Sequence, residues 1–276
     1  MTECNLDQIH IKNLEVFANH GVFPEENKLG QKFLIDAILY LYTREAGLKD
    51  DLTKSVHYGE VSHFITEFLR EHTFQLIETA VEQTAQAVLL KFSRIEQITL
   101  EISKPWAPIG LPLECVSVKI KRGWHKAFVA IGSNLGEKED YIKQGIKELS
   151  EEKECVVVQV SSIITTKPYG VTEQPDFLNG VVELKTLFSP QELLEKLQQI
   201  EFHANRERKI HWGPRTLDLD IIFYDNLILD TTTLHIPHVD MQNRTFVLKP
   251  LAELAPYLRH PYLGKTVEQL CMELED

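Results

Sequence analysis

No stretch of the 276 residues is apolar for long enough to approach a membrane span, and the opening MTECNLDQIHIK has neither a basic start nor an apolar core of the kind a secretory leader carries. The chain is therefore expected to work in the cytoplasm, without a membrane. Cysteine is scarce: Cys4, Cys115, Cys155 and Cys271 lie far apart with no C-x-x-C pair. Neither a disulfide framework nor a thiolate zinc site follows, and four buried reduced thiols are expected. Positive charge is also short, with 29 Lys and Arg against 41 Asp and Glu and a net charge of -12. That balance argues against a nucleic-acid partner, because a phosphate-tracking surface shows as a basic stripe. Any anionic ligand must be met locally. There is no Walker A loop either: LGKT at Leu263 to Thr266 lacks the first glycine and the preceding strand. Internal repeats, low-complexity tracts and a Gly/Ser linker are missing as well.

The ordinary fractions of apolar (43%) and charged (25%) residues point to a globular chain, and the length suggests two domains. In the first, strand-like alternation around Ile9, Ile11 and then Phe33, Ile35 is separated by the connection HGVFPEENKLG. Val61, Phe64, Ile65, Phe68 and Leu69, then Ile77, Ala80, Val81, Thr84, Ala85 and Val88, fall at helical spacing. Alternation returns at residues 95–103 and 116–120, which completes a ββααββ unit.

After KRGWHK a second series begins: a strand at 128–131, a helix at 141–149, strands at 156–164 and 178–184, a helix at 191–202 and a strand at 216–224. The order βαββαβ predicts a ferredoxin-like sheet backed by two helices. The expected fold class is α+β, with domains over residues 1–122 and 123–276.

The densest chemistry lies in HANRERKIHWGPRTLDLDIIF, where Arg206, Arg208, Lys209 and Arg215 crowd a loop ahead of two carboxylates. On a strand, Asp218 and Asp220 share one face while Leu217, Leu219 and Ile221 take the other. Paired carboxylates suit magnesium, which favours hard oxygen ligands and retains waters, and the cations upstream suit a polyphosphate. A solvated, mutually neutralised strand edge is the alternative.

Four ordered segments resolve that choice: IGSNLG at Ile131 to Gly136, EQPDFLN at Glu173 to Asn179, HWGPRTLDLD at His211 to Asp220, and IPHVDMQNRTFVL at Ile236 to Leu248. Together they resemble 6-hydroxymethyl-7,8-dihydropterin pyrophosphokinase. The resemblance implies that Asp218 and Asp220 hold two Mg2+ ions against ATP, and that Arg206 and Arg215 neutralise charge during transfer. It places the pterin between Phe177 and Phe246, beside Thr166 and Asn179 and under a loop carrying Trp212. It gives Glu201, Arg208, Lys209, His238 and Arg244 to the nucleotide and its phosphates. Val239 stands where some relatives carry an aromatic residue, so packing around adenine is expected to differ there.

In the first domain Glu26, His57, Tyr58, Glu78 and Lys104 sit at expected element ends, where binding residues gather. Glu78 also reads as an acidic helix start, and Lys104 as a strand-end cation. HGVFPEENKLGQKF, SVHYGEV, QLIETAVEQTA and ISKPWAPIG, in that order, resemble dihydroneopterin aldolase. In that family the pterin ring itself takes up the electrons of the broken carbon-carbon bond, so no Schiff base, zinc or organic cofactor is implied. The resemblance implies Lys104 as general acid/base with Glu26, Tyr58 as proton donor to the enol-like intermediate, and Glu78 as a bidentate clamp on the ring. Val56, Leu76 and Ile77 would add backbone and apolar contacts.

The two resemblances imply a bifunctional folate-pathway enzyme: 7,8-dihydroneopterin is cleaved to glycolaldehyde and 6-hydroxymethyl-7,8-dihydropterin, which ATP then pyrophosphorylates with release of AMP. They also imply a homo-oligomer through the first domain, an octamer of two stacked rings. Two other readings stand beside this one: an epimerase-like first domain, or a first domain that is only an oligomerisation scaffold. The lack of an added basic cluster in residues 1–122 weighs against the epimerase, and the joint presence of Glu26, Tyr58, Glu78 and Lys104 weighs against the scaffold.

Overall fold

The computed structural model describes residues 6–168, 174–204 and 215–274, and the chain divides into two units, Met1–Trp124 and His125–Asp276. Both are α+β. In the first unit, β1 (Asp7–Ala18), α1 (Pro24–Leu29) and β2 (Gln31–Leu41) are followed by α2 (Arg44–Lys49), α3 (Tyr58–Glu71), α4 (Ile77–Lys91), β3 (Gln97–Lys104) and β4 (Val116–Gly123). The four strands form one antiparallel sheet in sequence order. α3 packs on β1 and α4 on β3 and β4, so the period-2 residues Phe33, Ile35, Leu39, Ile98, Leu100 and Ile102 are buried beneath the helices. The ββααββ expectation describes this core, with α1 and α2 added in the connections. Neither short helix buries a residue, so neither leaves an apolar period in the sequence.

The second unit runs β5 (His125–Ser133), α5 (Lys138–Glu151), β6 (Cys155–Val160), β7 (Ile164–Thr166), β8 (Phe177–Thr186), α6 (Pro190–His203) and β9 (Asp218–Tyr224). It closes with β10 (Leu229–Asp230), β11 (His235–Ile236), α7 (Thr245–Leu254) and α8 (Val267–Glu273). Sheet order is β6-β8-β5-β9, all antiparallel, with β7 pairing β8 beyond β6. This is the ferredoxin-like arrangement. One sheet face is covered by α5 and α6, whose Ile142, Leu149, Leu193 and Leu197 meet Leu217, Leu219 and Ile221. The other is covered by α7 and α8, where Val247, Leu248 and Leu251 meet Phe128, Val181 and Ile222.

Two expectations change. The single strand at 156–164 is two strands, because Ser161 inserts its hydroxyl as acceptor for the Val181 N–H at 2.9 Å and so interrupts the ladder. The expectation of four buried thiols fails at Cys115, which is exposed in the loop between β3 and β4. Cys155 is buried, which pushes its thiol up to about 11, while Cys271 is partly buried and Cys4 lies outside the described residues. Among the described residues no helix is long and apolar enough to cross a membrane.

Candidate functional sites, one in each unit

In the second unit the central strand aligns the chemistry. Gly132 on β5 pairs with Asn179 on β8 and with Asp218 on β9. One rung along, Ala130 pairs with Val181 and Asp220. Paired residues of antiparallel strands share a face, so Asn179, Gly132, Asp218 and Asp220 all face the side covered by α7. Asn179 and Asp218 stand two strand spacings apart, about 10 Å, across a residue with no side chain. A Cβ at Gly132 would come within 2.8 Å of Asn179 Oδ1, so only glycine leaves this floor open. Asn179 is buried and donates to Thr166 Oγ1 at 2.7 Å, a contact that β7 provides by pairing Thr166 with Phe177. Phe177 and Phe246 are both half-buried.

At the other end of the rung Arg215 forms an ion pair with Asp218. Its backbone is clasped by Asn134: the Arg215 N–H donates to Asn134 Oδ1 at 2.7 Å, and Asn134 N–H returns to the Arg215 carbonyl at 3.0 Å. Asn134 Nδ2 also donates to Gln174 and to the Pro175 carbonyl, so one buried amide ties the IGSNLG turn to both flanking loops. Glu201, expected at the nucleotide, is 3% exposed, and its carboxylate accepts the N–H of Leu219, at 2.8 Å, between the two aspartates. His238 Nε2 lies 4.0 Å from Asp220, and its Nδ1 accepts the Asp240 N–H. Burial, and next the Arg244 guanidinium, push His238 down to about 4, so it is neutral at pH 7. Arg244 donates to Asp240 at 3.0 Å and lies over the ring of Phe246. Burial alone would raise Asp240, but the hydrogen bonds from Asn243 and Arg244 outweigh it and hold the carboxyl below the usual range.

The donor set fits magnesium rather than a transition metal. Two hard carboxylates project from one strand face, and no third His, Cys, Asp or Glu completes a metal cluster among the described residues. Arg206, Arg208, Lys209 and Trp212 lie outside the described residues.

In the first unit, Lys104 at the end of β3 and Glu26 in α1 form an ion pair across 78 residues of sequence, with side chains 14% and 9% exposed. Glu26 also accepts from Gln31 Nε2 at 3.0 Å and from the Phe23 N–H at 3.1 Å. Burial opposes ionisation here, but the bonds from Lys104, Gln31 and Phe23 outweigh it and keep the carboxyl below its ordinary value. Tyr58 opens α3, with Val56 buried just before it. Leu76, Ile77 and Glu78 open α4. Tyr58, Leu76 and Glu78 are exposed, and no hydrogen bond or ion pair among the described residues joins Tyr58 or Glu78 to the Lys104–Glu26 pair. One chain thus brings together two of the expected aldolase residues, Lys104 and Glu26, and leaves Tyr58, Leu76 and Glu78 on open surface. Gly132, Asn134 and Gln31 escape sequence reading, because their importance comes from what strand pairing and loop closure put beside them.

Two family models match in order: "Dihydroneopterin aldolase" over residues 9–121 and "7,8-dihydro-6-hydroxymethylpterin-pyrophosphokinase (HPPK)" over residues 128–256. The chain is 46% identical over 128 residues to the 2-amino-4-hydroxy-6-hydroxymethyldihydropteridine pyrophosphokinase of Bacillus subtilis, covering 46% of this chain and 77% of that protein. It is 45% identical over 136 residues to the protein of that name from Pseudomonas aeruginosa, covering 49% and 84%. The "Folic acid synthesis protein fol1" of Pneumocystis carinii is 30% identical over 286 residues, covering 98% of this chain but 38% of that protein. The chain thus spans well under half the length of that relative.

Proposed function

The chain belongs to the 7,8-dihydro-6-hydroxymethylpterin-pyrophosphokinase family and carries a dihydroneopterin aldolase domain ahead of it, and from that premise we propose a bifunctional enzyme of folate biosynthesis. On this reading the first unit cleaves 7,8-dihydroneopterin and the second transfers pyrophosphate from ATP to the product, both in the cytoplasm. What supports the kinase half is the rung Asn179–Gly132–Asp218, an amide and a carboxylate on one sheet face across an open floor, which suits a pterin edge beside a metal-bound phosphate.

In the kinase half the pterin lies against Phe177 and Phe246 with its edge on Asn179, whose amide is oriented by Thr166. The hydroxymethyl oxygen attacks the β-phosphorus of ATP, the bond from that phosphorus to the α-phosphate oxygen breaks, the hydroxyl proton is lost and AMP departs. Magnesium ions held by Asp218 and Asp220 would supply charge neutralisation at the phosphates. Arg215 exchanges its partner Asp218 for the phosphates, while Asn134 fixes its backbone. Glu201 acts as a brace for the backbone between the aspartates. His238, neutral, presents Nε2–H on the nucleotide side, and Arg244 is held there by Asp240. Arg206, Arg208, Lys209 and Trp212 belong to the same site by resemblance.

In the aldolase half, the proton of the resting Lys104–Glu26 ion pair shifts onto the Glu26 carboxylate, and the freed Lys104 amine receives the proton of the side-chain hydroxyl as the adjacent carbon-carbon bond breaks and glycolaldehyde forms. The bond electrons enter the ring, and Tyr58 delivers the proton that quenches the enol-like intermediate. Glu78 anchors the ring, with Val56, Leu76 and Ile77 alongside. Exposure of Tyr58 and Glu78 in the single chain supports a site completed by a second copy. So do the open sheet edges at β1 and β4 and the exposed Phe17, Phe23, Leu29 and Trp106. An octamer is the assembly this reading carries. The test of the metal assignment is Asp218→Ala: pyrophosphoryl transfer should be lost and glycolaldehyde release kept, and near-parent kinase turnover would remove Asp218 from the site.

A further inference from the structure

Between the strand that ends in the acid/base region and the turn that leads into α4 lies a two-residue joint that no part of the reading above uses. His20 is 2% exposed, and its ring lies against Phe33 at 5.2 Å and Phe74 at 5.4 Å between centroids. Its Nδ1 accepts the Phe74 N–H at 3.2 Å, and the Gly21 N–H donates back to the Phe74 carbonyl at 3.0 Å. This two-way clasp fixes Phe74, two residues before the segment Leu76, Ile77 and Glu78. On its other side the joint meets Glu26. Gln31 Nε2 donates both to the His20 carbonyl, at 3.2 Å, and to Glu26 Oε1, at 3.0 Å. Gly21 sits directly beneath the Glu26 carboxylate: a Cβ there would fall 2.3 Å from Oε2, and the φ of +151° disfavours any side chain.

The clasp also sets the ring's protonation. With Nδ1 accepting from a backbone N–H, the imidazole proton sits on Nε2, which is buried with no hydrogen-bond partner among the described residues. A buried unpaired donor is costly, and one retained inside a site that also holds Lys104 and Glu26 calls for a reason. Burial, and then the charges of Lys104 and His72, oppose the imidazolium form, so the acceptor at Nδ1 persists at neutral pH.

We propose that His20 and Gly21 are positioning residues that lock the pterin-anchoring start of α4 to the Lys104–Glu26 pair, His20 holding the anchor through Phe74 and Gly21 leaving room for the Glu26 carboxylate. The proposal rests on the aldolase reading of the first unit, and it divides the joint into two arms with different kinetic signatures. His20 acts on ring binding and Gly21 on proton transfer.

The experiment uses the full chain. Steady-state release of glycolaldehyde from 7,8-dihydroneopterin is measured for the parent, His20→Leu, His20→Asn and Gly21→Ala, together with amide hydrogen exchange at Phe74 and across β2 and β3. His20→Leu removes the acceptor: KM should rise about five- to tenfold, the scale of one lost hydrogen bond, with kcat within about twofold. Protection at Phe74 should fall with it while the sheet stays protected. His20→Asn returns a side-chain oxygen near the Nδ1 position and should recover KM to within about threefold of the parent, together with protection at Phe74. Gly21→Ala displaces the Glu26 carboxylate and should cut kcat by about tenfold or more with a smaller change in KM. The proposal is overturned if His20→Leu exchanges at Phe74 like the parent, if Asn and Leu are equally impaired, or if Gly21→Ala turns over at the parent rate. A parent chain that releases no glycolaldehyde, with Phe74 still protected through His20, would overturn the aldolase reading and leave the joint in place as structure alone.

Discussion

On the proposed aldolase function Lys104 and Glu78 do different work in a site completed by a second copy, and substitution separates the two jobs. Lys104→Ala should lower the turnover of aldol cleavage by about a hundredfold, the usual loss for a positioned acid/base, with pterin affinity changed less. Glu78→Ala should instead weaken pterin binding by about tenfold to a hundredfold, since it removes a charge-assisted bidentate contact. Single-turnover cleavage and equilibrium pterin binding check both, and cleavage by Lys104→Ala at the parent rate would return the lysine to a strand-end charge. In the kinase half Arg215→Ala should reduce kcat more than it raises the KM for ATP, because its charge is needed most as the phosphates part. A change confined to KM would make Arg215 a ground-state ligand. At this scale the sequence was legible where period alone decides: Asp218 and Asp220 share a face because strand residues alternate. It was not legible where chain closure decides, and the contact between Lys104 and Glu26, 78 residues apart, exists only once β3 lies beside β2.

Among elements, the helices with an apolar face could be read from spacing. α3 and α4 bury Val61, Ile65, Leu69 and Ala80, Val81, Ala85, Val88 as the intervals indicate. α1 could not, since none of its residues is buried and its start is fixed by Pro24 and by the Phe23 N–H bonding to Glu26. The split between β6 and β7 was equally hidden, because a serine hydroxyl standing in for a backbone partner leaves no trace in alternation. Packing of these elements also sets an acid limit. Burial, and then the charges of Lys104 and His72, lower His20 from 6.5 to about 4, and burial, then Arg244, do the same to His238. Both folded values lie below the unfolded ones, so between pH 6.5 and about 4 the unfolded chain binds the extra protons. The stability they contribute is complete above that window and is lost as pH falls through it. Denaturant unfolding of the first unit should therefore weaken from pH 6.5 to about 4, and His20→Asn should flatten that slope. An unchanged slope in the variant would mean that His20 is accessible to protons in the folded state.

For the whole molecule, the proposed function gives the two units successive steps: the alcohol released by cleavage in the first would be the nucleophile consumed in the second. Nothing in the motif of either unit requires the other for its own chemistry, so each activity should survive loss of the other when its substrate is supplied. The measurement that tests this account most directly is incubation of the purified full chain with 7,8-dihydroneopterin, first alone and then with ATP and magnesium. Glycolaldehyde should appear in the first stage and AMP only in the second, in step with consumption of 6-hydroxymethyl-7,8-dihydropterin. Failure to release glycolaldehyde, or AMP formation that does not depend on the pterin product, would contradict it.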